Sequence, residues 1–500
     1  MLSHGLEESF GRLIASGCDQ RLIPGVDGLN PYGASILPRR AISLGSCSCS
    51  SPTDRATQAA RRALDLLRRS SNVDHTVAKT QEGARKTLRE TFEIAPEIDI
   101  ALTPSGTDLE MLAVALVAGK DDRELVNVIV GPREVGSGTC NAASIRHYST
   151  RLPRGGKATP GSAINDALAA RVTLHQVDIR DQHGEILLPL EIDGAVTDIV
   201  IDAVSRGARV LVHTVAHSKT GIHAPTLPLM ERLTQTIGND FVGIVDAAQG
   251  RVAREAYQTA LDRGWMVSFT GSKFFGGPPF AGALFVPPHL SPATTGLDQL
   301  PAGFEDYFSR RDLPESWFPV GLAEDWNNVG SVLRWAAATA EIKAYFGVDR
   351  TTRNKIAKAF AQAVHDCFDI LPNVQLVKEF VCHDADGILP GIVLSPTVFS
   401  FEVTDDAGDR LDRDALKRLH KTLNTEIDGM RFHLGQPVMI GQNRAVLRVA
   451  LGAPLVVDVA RERSLGDSLD DRIGWMHNML EQLSHQVQRL ATSADIKQPS

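Results

Sequence analysis

Short runs of β-branched and aliphatic residues alternate with helical stretches between residues 98 and 287 of the chain. Strands separated by helical connections are typical of βαβ units, which build a mostly parallel sheet with helices on both faces. This pattern predicts an α/β fold whose ligands bind at the carboxyl ends of the strands. The predicted strands are residues 98–103, 125–130, 172–177, 210–216, 241–247, 266–270 and 282–286.

The sequence changes in character on both sides of this α/β region. Residues 1–95 hold loops with Gly and Pro followed by helices, and we expect this segment to pack partly on the C-terminal domain. Residues 329–500 predict a smaller α+β domain beside a large domain at 96–328, with the active site between the two. The elements predicted outside the α/β region are helices at 52–69, 77–92, 329–346, 413–427 and 461–490 and strands at 391–403 and 445–451.

Composition and charge narrow the possible functions. The chain has 52 Lys and Arg against 60 Asp and Glu, and its net charge of −8 is spread without a basic stripe, so nucleic acid is not an expected partner. The start lacks a signal sequence and no apolar run approaches membrane-spanning length, so we expect a cytoplasmic protein without a membrane partner. The six cysteines are too few for a disulfide scaffold, and Cys47 and Cys49 lack the spacing of a zinc site, so no metal is expected.

The first predicted strand runs into a helix through a short turn of small polar residues. Ser105, Gly106 and Thr107 lie between the strand at 98–103 and a helix that begins near residue 109. Free backbone amides at a helix N-terminus, small residues that let an anion approach and two hydroxyls together form a phosphate-binding turn. Ser, Thr and Asp are also common N-cap residues, so a purely structural role stays open.

Two further strand ends carry ionisable residues. Asp246 lies near the end of the strand at 241–247, where a carboxylate is poorly solvated unless a cation meets it, and an N-cap is the alternative. Lys273 follows the strand at 266–270 and precedes an aromatic loop rich in Gly and Pro. An amine in such a place loses its proton readily and can attack a carbonyl, although most lysines are solvated surface groups. Lys273 is therefore a candidate for Schiff-base formation.

Together these motifs resemble the fold-type I pyridoxal-phosphate (PLP) enzymes, specifically the class V aminotransferase and cysteine desulfurase branch. The resemblance rests on Ser-Gly-Thr at 105–107, Val-Asp-Ala-Ala-Gln at 245–249 and Ser-Phe-Thr-Gly-Ser-Lys-Phe-Phe-Gly-Gly at 268–277. It implies that Lys273 holds PLP as an internal aldimine, and that Asp246 keeps the pyridine nitrogen protonated so that the ring acts as an electron sink. It also implies a homodimer. The remaining cofactor contacts implied by the resemblance are Ser105, Gly106, Thr107, Ser218, Gln249, Thr270 and Ser272.

The sequence departs from the family pattern at two places. Ser218 stands where the family has an Asn near the phenolic oxygen of PLP. The ring-covering His of the family is missing after the strand at 125–130, so that either Val135 or the Gly-rich loop around 136–138 would cover the ring. That loop lacks the G-x-G-x-x-G pattern of a nucleotide-binding site, which favours a plain loop.

An arginine is expected to bind the substrate carboxylate, because a planar guanidinium grips a carboxylate with two hydrogen bonds. The predicted strand at 445–451 resembles the strand that bears this residue in the family, and it contains Arg448, with Arg444 just before it as the alternative. A solvent-facing charge on an edge strand is the structural interpretation. His433 is a further candidate for substrate binding, although a core or surface histidine is the more ordinary interpretation.

PLP allows several reactions, and the residues narrow the choice. A cysteine desulfurase needs a thiol on a loop shortly before the carboxylate-binding arginine, yet no cysteine lies between Cys382 and the chain end, which disfavours persulfide chemistry. Transamination and β-elimination remain, and both begin with removal of the Cα proton by the freed Lys273 amine. We expect an aminotransferase acting on a small α-amino acid, with a β-lyase as the alternative. A PLP-fold protein without turnover and a nucleotide-binding oxidoreductase are less favoured.

Overall fold

Two β-sheets organise the computed structural model, which describes residues 9–295, 297–317, 322, 326–377, 396–462, 466–493 and 496. Eight of the described strands form a large sheet and five form a small one. The strands are β1 (Ile42–Leu44), β2 (Asp99–Thr103), β3 (Leu125–Val130), β4 (Val172–Val177), β5 (Arg209–Ala216), β6 (His223–Ala224), β7 (Phe241–Ala247), β8 (Met266–Thr270), β9 (Gly282–Val286), β10 (Val374–Leu376), β11 (Val398–Val403), β12 (Phe432–Met439) and β13 (Ala445–Ala450).

The large sheet contains every strand predicted between residues 98 and 287, with bounds that differ by at most one residue. Its order is β2-β9-β8-β7-β5-β3-β4, with β6 paired to β5. The strands β8, β7, β5, β3 and β4 run parallel, whereas β9 is antiparallel to both of its neighbours. Successive residues of β2 pack into two separate hydrophobic clusters, one on each face, as a sheet covered on both sides requires. The short β6 is the one strand of this sheet that was not predicted.

Helices connect and cover the strands. α3 starts directly after β2 and is buried along its whole length, because residues of the 304–317 segment pack over it. Its N-terminus therefore lies at the carboxyl edge of the large sheet. No described helix is long and apolar enough to cross a bilayer. The main helices are α1 (Asp54–Arg69), α2 (Val73–Phe92), α3 (Asp108–Ala118), α4 (Thr139–Ala142), α5 (Asp166–Ala169), α6 (Pro189–Ser205), α7 (Leu227–Ile237), α8 (Arg254–Asp262), α9 (Pro292–Thr295), α10 (Val329–Phe346), α11 (Arg350–Phe368), α12 (Arg413–Leu423), α13 (Ala453–Ala460) and α14 (Leu469–Ala491).

The small sheet has the order β1-β12-β13-β11-β10, and α11, α12 and α14 share one hydrophobic cluster with it. Neither α11 nor β12 was predicted. β12 contains Gly435 and Pro437, which weaken a strand pattern, and the pairing with β13 is irregular between Gly435 and Val438. The sequence pattern therefore did not indicate this strand, which pairs in the sheet through a local change of register.

Three predicted elements of the small domain differ from the structure in their bounds. The helix predicted at 413–427 ends at Leu423, and the one predicted at 461–490 begins only at Leu469, where the Ser468 side chain caps it. Residues 398–403 of the predicted strand at 391–403 form β11, and residues 391–395 lie outside the described part of the chain.

The N-terminal segment packs on both parts of the molecule. β1 pairs in parallel with β12, which places Ile42 opposite Phe432 in the small sheet. α1 and α2 correspond to the predicted helices at 52–69 and 77–92, and both pack against α10. α10 in turn places Trp335 and Ile342 in the core of the large domain. The domain boundaries at residues 95 and 328 stay predictions.

Candidate active site

A cavity of about 410 Å³ lies at the carboxyl ends of β5, β7 and β8, beside the small domain. Ligands of parallel sheets bind at this edge, and ordinary ligand pockets measure about 300–1,000 Å³. The structure brings all but one of the predicted site residues into the lining of this cavity. Those residues are Ser105, Gly106, Thr107, Ser218, Asp246, Gln249, Thr270, Ser272, Lys273 and Arg448.

Lys273 follows β8 and contributes an amine that has no protein partner. Among the described residues, none forms a hydrogen bond or an ion pair with its Nζ atom. Burial lowers the pKa of this amine, and nearby Asp246 and Cys47 oppose the shift only in part. More of the amine is therefore uncharged, and able to attack a carbonyl, than at a solvated lysine.

Asp246 presents one fixed carboxylate oxygen and one free one. Its Oδ1 atom accepts hydrogen bonds from the Ala248 backbone amide at 3.0 Å and from the Ser268 hydroxyl at 3.1 Å. Ser268 lies opposite Asp246 in the β7–β8 register, so the sheet itself fixes the orientation of the carboxylate. No described residue donates to Oδ2, which leaves that oxygen for a cationic or N–H group in the cavity.

A second carboxyl group, that of Glu110, lines the cavity on α3 and lies against a buried histidine. His213 Nδ1 is 3.4 Å from Glu110 Oε2, and His213 Nε2 is 3.0 Å from Asn127 Oδ1. Asn127 donates its amide to the Ala143 carbonyl, so its Oδ1 must accept, and His213 carries its proton on Nε2. A neutral His213 therefore turns a lone pair toward Glu110.

Burial favours the neutral form of both members of this pair. Burial raises the pKa of the Glu110 carboxyl well above its usual range, and the charge of Asp246 adds to the shift. Burial also lowers the pKa of His213 to about 3, which keeps the imidazole neutral. Glu110 was not predicted as a site residue, because its position in an apolar helix gives no sequence signal that it reaches the cavity.

We expect Glu110→Gln to stabilise the cofactor-free protein at neutral pH. A carboxyl whose pKa rises on folding contributes stability below its unfolded pKa, near 4.5, and this contribution is lost as the pH rises toward the folded pKa. The advantage of the variant should grow by about 1.4 kcal/mol per pH unit within that window. Denaturant unfolding at several pH values measures it. Glu97→Gln, the same change at an exposed site, should show no such slope, and equal slopes in both variants would refute the assignment.

The predicted phosphate-binding turn forms a cradle at the N-terminus of α3. Ser105 Oγ donates to Asp108 at 2.7 Å and accepts from the Thr107 backbone amide at 3.1 Å. A Cβ atom at Gly106 would lie 2.8 Å from the Thr270 methyl group, so a larger residue would close the cradle. The turn thus combines hydroxyls and backbone amides at a helix N-terminus, which are groups that bind a phosphate.

Arg21 completes this cradle from the N-terminal segment. It donates to Thr107 Oγ1 at 3.2 Å and to Ser105 Oγ at 3.4 Å. Asp19 accepts two hydrogen bonds from its guanidinium, at 2.8 and 2.9 Å, and so fixes its orientation. Arg21 was missed in the sequence because it lies more than eighty residues from the turn and belongs to no motif.

The other predicted cofactor residues fall into two groups: those whose polar atoms already form hydrogen bonds within the protein, and those that keep a polar atom free. Thr270 donates its hydroxyl to the Ala248 carbonyl at 2.6 Å, and Gln249 donates its amide to the Cys47 carbonyl at 3.1 Å. The Gln249 Oε1 atom is buried without a partner, and the Ser272 hydroxyl bonds no described residue. Gln249 and Ser272 therefore keep polar atoms available to a ligand, whereas the Thr270 hydroxyl supports the wall of the cavity.

Ser218 is held by a buried acidic residue. It donates to Glu134 Oε2 at 2.5 Å, and Arg180 donates to Glu134 Oε1 at 2.6 Å. Burial alone would raise the pKa of Glu134, but the Arg180 charge and the hydroxyl donors hold it below its usual value. Val135, the next residue, is buried and lines the cavity together with Gly136 and Ser137, so both of the predicted candidates for covering a cofactor ring lie at the cavity.

The two candidate arginines have different environments. Arg448 lies in the cavity wall and donates only to neutral groups, the Gln436 carbonyl at 2.7 Å, the Ser48 hydroxyl at 3.0 Å and the Lys219 carbonyl at 3.2 Å. Arg444 instead forms two hydrogen bonds with Glu402, at 2.9 and 3.0 Å, and lies outside the lining. The structure therefore favours Arg448 as the arginine that meets a carboxylate.

His433 is the one predicted site residue that does not reach the cavity. Its Nε2 atom lies 3.0 Å from the Tyr32 carbonyl, and its ring packs against His420. Burial lowers its pKa to about 4, so the ring is neutral and donates to that carbonyl. The expected contact with substrate does not fit this position, because β12 points the side chain into the interior toward the N-terminal segment.

Solved structures provide the comparison with known proteins. A structure of mouse CSAD matches with a TM-score of 0.54 at 13% identity, over 91% of this chain and 84% of that chain. The cystine C–S lyase C-DES, in complex with its reaction product cysteine persulfide, matches with 0.52 at 14% identity, over 88% and 97%. A lysine-to-alanine mutant of C-DES, with glycine covalently linked to the PLP cofactor, matches with 0.53 at 14% identity, over 88% and 96%. The chain has fold type I of the PLP-dependent enzymes.

The fold predicted from the three motifs is thereby confirmed, including the large, mostly parallel sheet and the smaller α+β domain. No protein-family model and no curated protein matches the chain. Within fold type I, the cavity at the ends of β5, β7 and β8 is the part of this chain that carries candidate chemistry.

Proposed function

We propose that this chain is a PLP-dependent enzyme acting on an α-amino acid, with Lys273 as the residue that binds the cofactor covalently. One observation carries the proposal. A single cavity holds an anion cradle at Ser105–Thr107, the partner-free amine of Lys273 and the free Oδ2 atom of Asp246. The solved structures that share the fold support it, since one of them has an amino acid linked to PLP.

The residues present fit this cofactor. PLP carries a phosphate and a pyridine nitrogen, and each has a matching group in the cavity. The Ser105–Thr107 turn and the Arg21 guanidinium suit the phosphate, and the free Asp246 oxygen suits a protonated pyridine. The Gln249 amide donates to the Cys47 carbonyl, and its remaining oxygen is an acceptor like the phenolic oxygen of PLP. The cavity therefore offers these complementary groups without any change of fold.

Bound PLP would supply an aldehyde that condenses with amines and a ring that accepts the electron pair of the bond broken at Cα. The Lys273 amine would hold and move the Cα proton, and its lowered pKa suits that task. Asp246 Oδ2 would hold a proton on the pyridine nitrogen. Val135 and the apolar part of the wall exclude water from this region.

Transamination is the reaction we propose first, and β-elimination is the second candidate. Both use the same proton transfer by Lys273, and a C–S lyase shares the fold of the chain. A single amino acid supplied without an acceptor separates them. An aminotransferase stops after one equivalent of keto acid with its cofactor aminated, whereas a lyase continues to release keto acid and ammonia.

The direct test of cofactor binding is hydride trapping. Purified protein is supplied with PLP, reduced with borohydride, digested and analysed by mass spectrometry. We expect a yellow protein whose only modified peptide contains Lys273. A protein that stays colourless and unmodified contradicts the proposal. The homodimer is proposed as well, and light scattering of the same sample measures it.

Arg448→Gln should raise KM for the amino acid by about tenfold to a hundredfold, because a charge-assisted contact with the α-carboxylate is lost. The effect on kcat should be smaller, since the contact holds the substrate in the ground state as well. Steady-state kinetics with the best amino acid measure both. Arg444→Gln, which removes the same charge from the Glu402 pair outside the cavity, should leave KM unchanged. A raised KM in Arg444→Gln alone would reverse the assignment.

A further inference from the structure

The wall of the cavity around Arg448 carries more positive charge than one α-carboxylate requires. Lys219, Arg413 and Arg448 all line it, and none of the three forms an ion pair with a described carboxylate. Arg133 also lines it, but Asp178 lies 3.1 Å from its guanidinium. The side-chain amine of Lys219 makes one hydrogen bond to a described residue, to the Arg133 carbonyl at 3.4 Å. Three cationic groups therefore line one cavity without an ion-pair partner among the described carboxylates.

These cations lie close enough to repel one another. Burial and the charges of Arg448, Lys273 and Arg413 together lower the pKa of Lys219 to about 8, against the opposing charge of Glu134. Charges that are partly buried and unpaired destabilise a folded protein unless a ligand neutralises them. Several unpaired cations around one cavity are therefore typical of an anion-binding site.

The carboxylates that line the cavity do not supply this counter-charge. Glu134 pairs with Arg180, the free oxygen of Asp246 is the group proposed to meet the pyridine nitrogen, and burial favours the neutral form of Glu110. The cofactor proposed above brings a phosphate, but that group belongs at the cradle beside Arg21. The α-carboxylate of an amino acid neutralises Arg448, which leaves Lys219 and Arg413 without an anion.

We propose that Lys219 and Arg413 form a subsite for a second anionic group, so that the substrate is an α-amino acid with an acidic side chain. The inference rests on the proposed function and narrows its substrate class. Arg413 is the exposed first residue of α12, and Lys219 lies half-buried beside the strand of Arg448. A side-chain carboxylate, sulfonate or phosphate would satisfy both, since all of them present oxygen acceptors with negative charge.

Matched acid and amide pairs test the proposal without relying on turnover. The cofactor-loaded protein is titrated with L-aspartate against L-asparagine and with L-glutamate against L-glutamine, and the change in its visible absorbance gives each Kd. We expect the acidic member of at least one pair to bind at least about tenfold tighter. Cysteate and phosphoserine in the same titration show whether a carboxylate, a sulfonate or a phosphate fits best.

Two variants test whether the proposed subsite causes the preference for the acidic ligand over its amide. Lys219→Gln and Arg413→Gln should each reduce the ratio of the two affinities at least about threefold, and should leave binding of the amide nearly unchanged. Lys219→Gln keeps the backbone carbonyl that accepts from Arg448, so the α-carboxylate contact survives. Lys417→Gln is the matched control, because it removes a paired, exposed charge from the same helix and should not change the ratio.

The outcomes separate this inference from the proposed function. Equal affinities within both pairs, or a preference that persists in both variants, would overturn the acidic-substrate proposal. A protein that takes up PLP at Lys273 but binds neither member of either pair overturns it as well and leaves cofactor binding intact. A protein that takes up no PLP at Lys273 instead refutes the proposed function on which the subsite depends.

Discussion

Lys273→Ala is expected to reduce turnover by at least about a thousandfold, because proton transfer by a positioned amine contributes up to about 10⁴-fold to such reactions. The variant should also lose the hydride-stable adduct, since Lys273 is the lysine proposed to form the covalent bond. The cradle at Ser105–Thr107 and the Arg21 contact remain, so the variant should still bind PLP reversibly. Single-turnover kinetics and peptide mass spectrometry measure the two effects separately.

Lys219 provides a stringent test of this prediction, because it is a second lysine in the same cavity and its pKa is also lowered. If Lys219 forms the adduct in the wild type, the assignment of Lys273 is wrong. Lys343→Ala serves as the control at an exposed position of α10 and should retain both turnover and adduct. Peptide mapping distinguishes the three lysines directly.

The parts of the fold and site that could be predicted depend on local sequence. Strands β3, β4, β7, β8 and β9 have the predicted bounds, because each is a short run rich in apolar and β-branched residues that ends at turn residues. Asp246 and Lys273 were found for the same reason. Asp246 lies at the end of β7 and Lys273 lies shortly after β8, so that the motif and the place in the fold are encoded by a few adjacent residues.

The parts that could not be predicted depend on distant contacts. Arg21 reaches the cradle from the N-terminal segment, and Glu110 reaches the cavity from a helix that is apolar around its whole circumference. Nothing in the neighbouring sequence distinguishes either from an ordinary structural charge. For His433 the prediction went too far. Histidine is chemically versatile, which suggested that this residue binds substrate, but the orientation of β12 excludes that contact.

Asp246→Asn is expected to lower kcat by at least about a hundredfold while leaving the covalent bond at Lys273 intact. Removing one preorganised electrostatic group from a site costs about 10²–10³-fold in other enzymes, and the Oδ2 atom is the group that faces the cavity here. An amide cannot hold a proton on the pyridine nitrogen as a carboxylate does. The Ser268 and Ala248 contacts can be kept by the Asn side-chain oxygen, so the orientation of the residue should survive.

Two measurements should respond differently to Asp246→Asn, and this difference makes the prediction specific. Hydride trapping should give the wild-type adduct at Lys273, and the rate of Cα proton exchange with solvent should fall together with kcat, because both depend on the electron-accepting power of the ring. Asp262→Asn, the same change at the exposed end of α8, should alter neither quantity. A variant of Asp246 that exchanges the Cα proton at the wild-type rate would show that the ring is activated by another group. Glu110 would then be the residue to replace next, since its carboxyl lines the same cavity and interacts with the charge of Asp246.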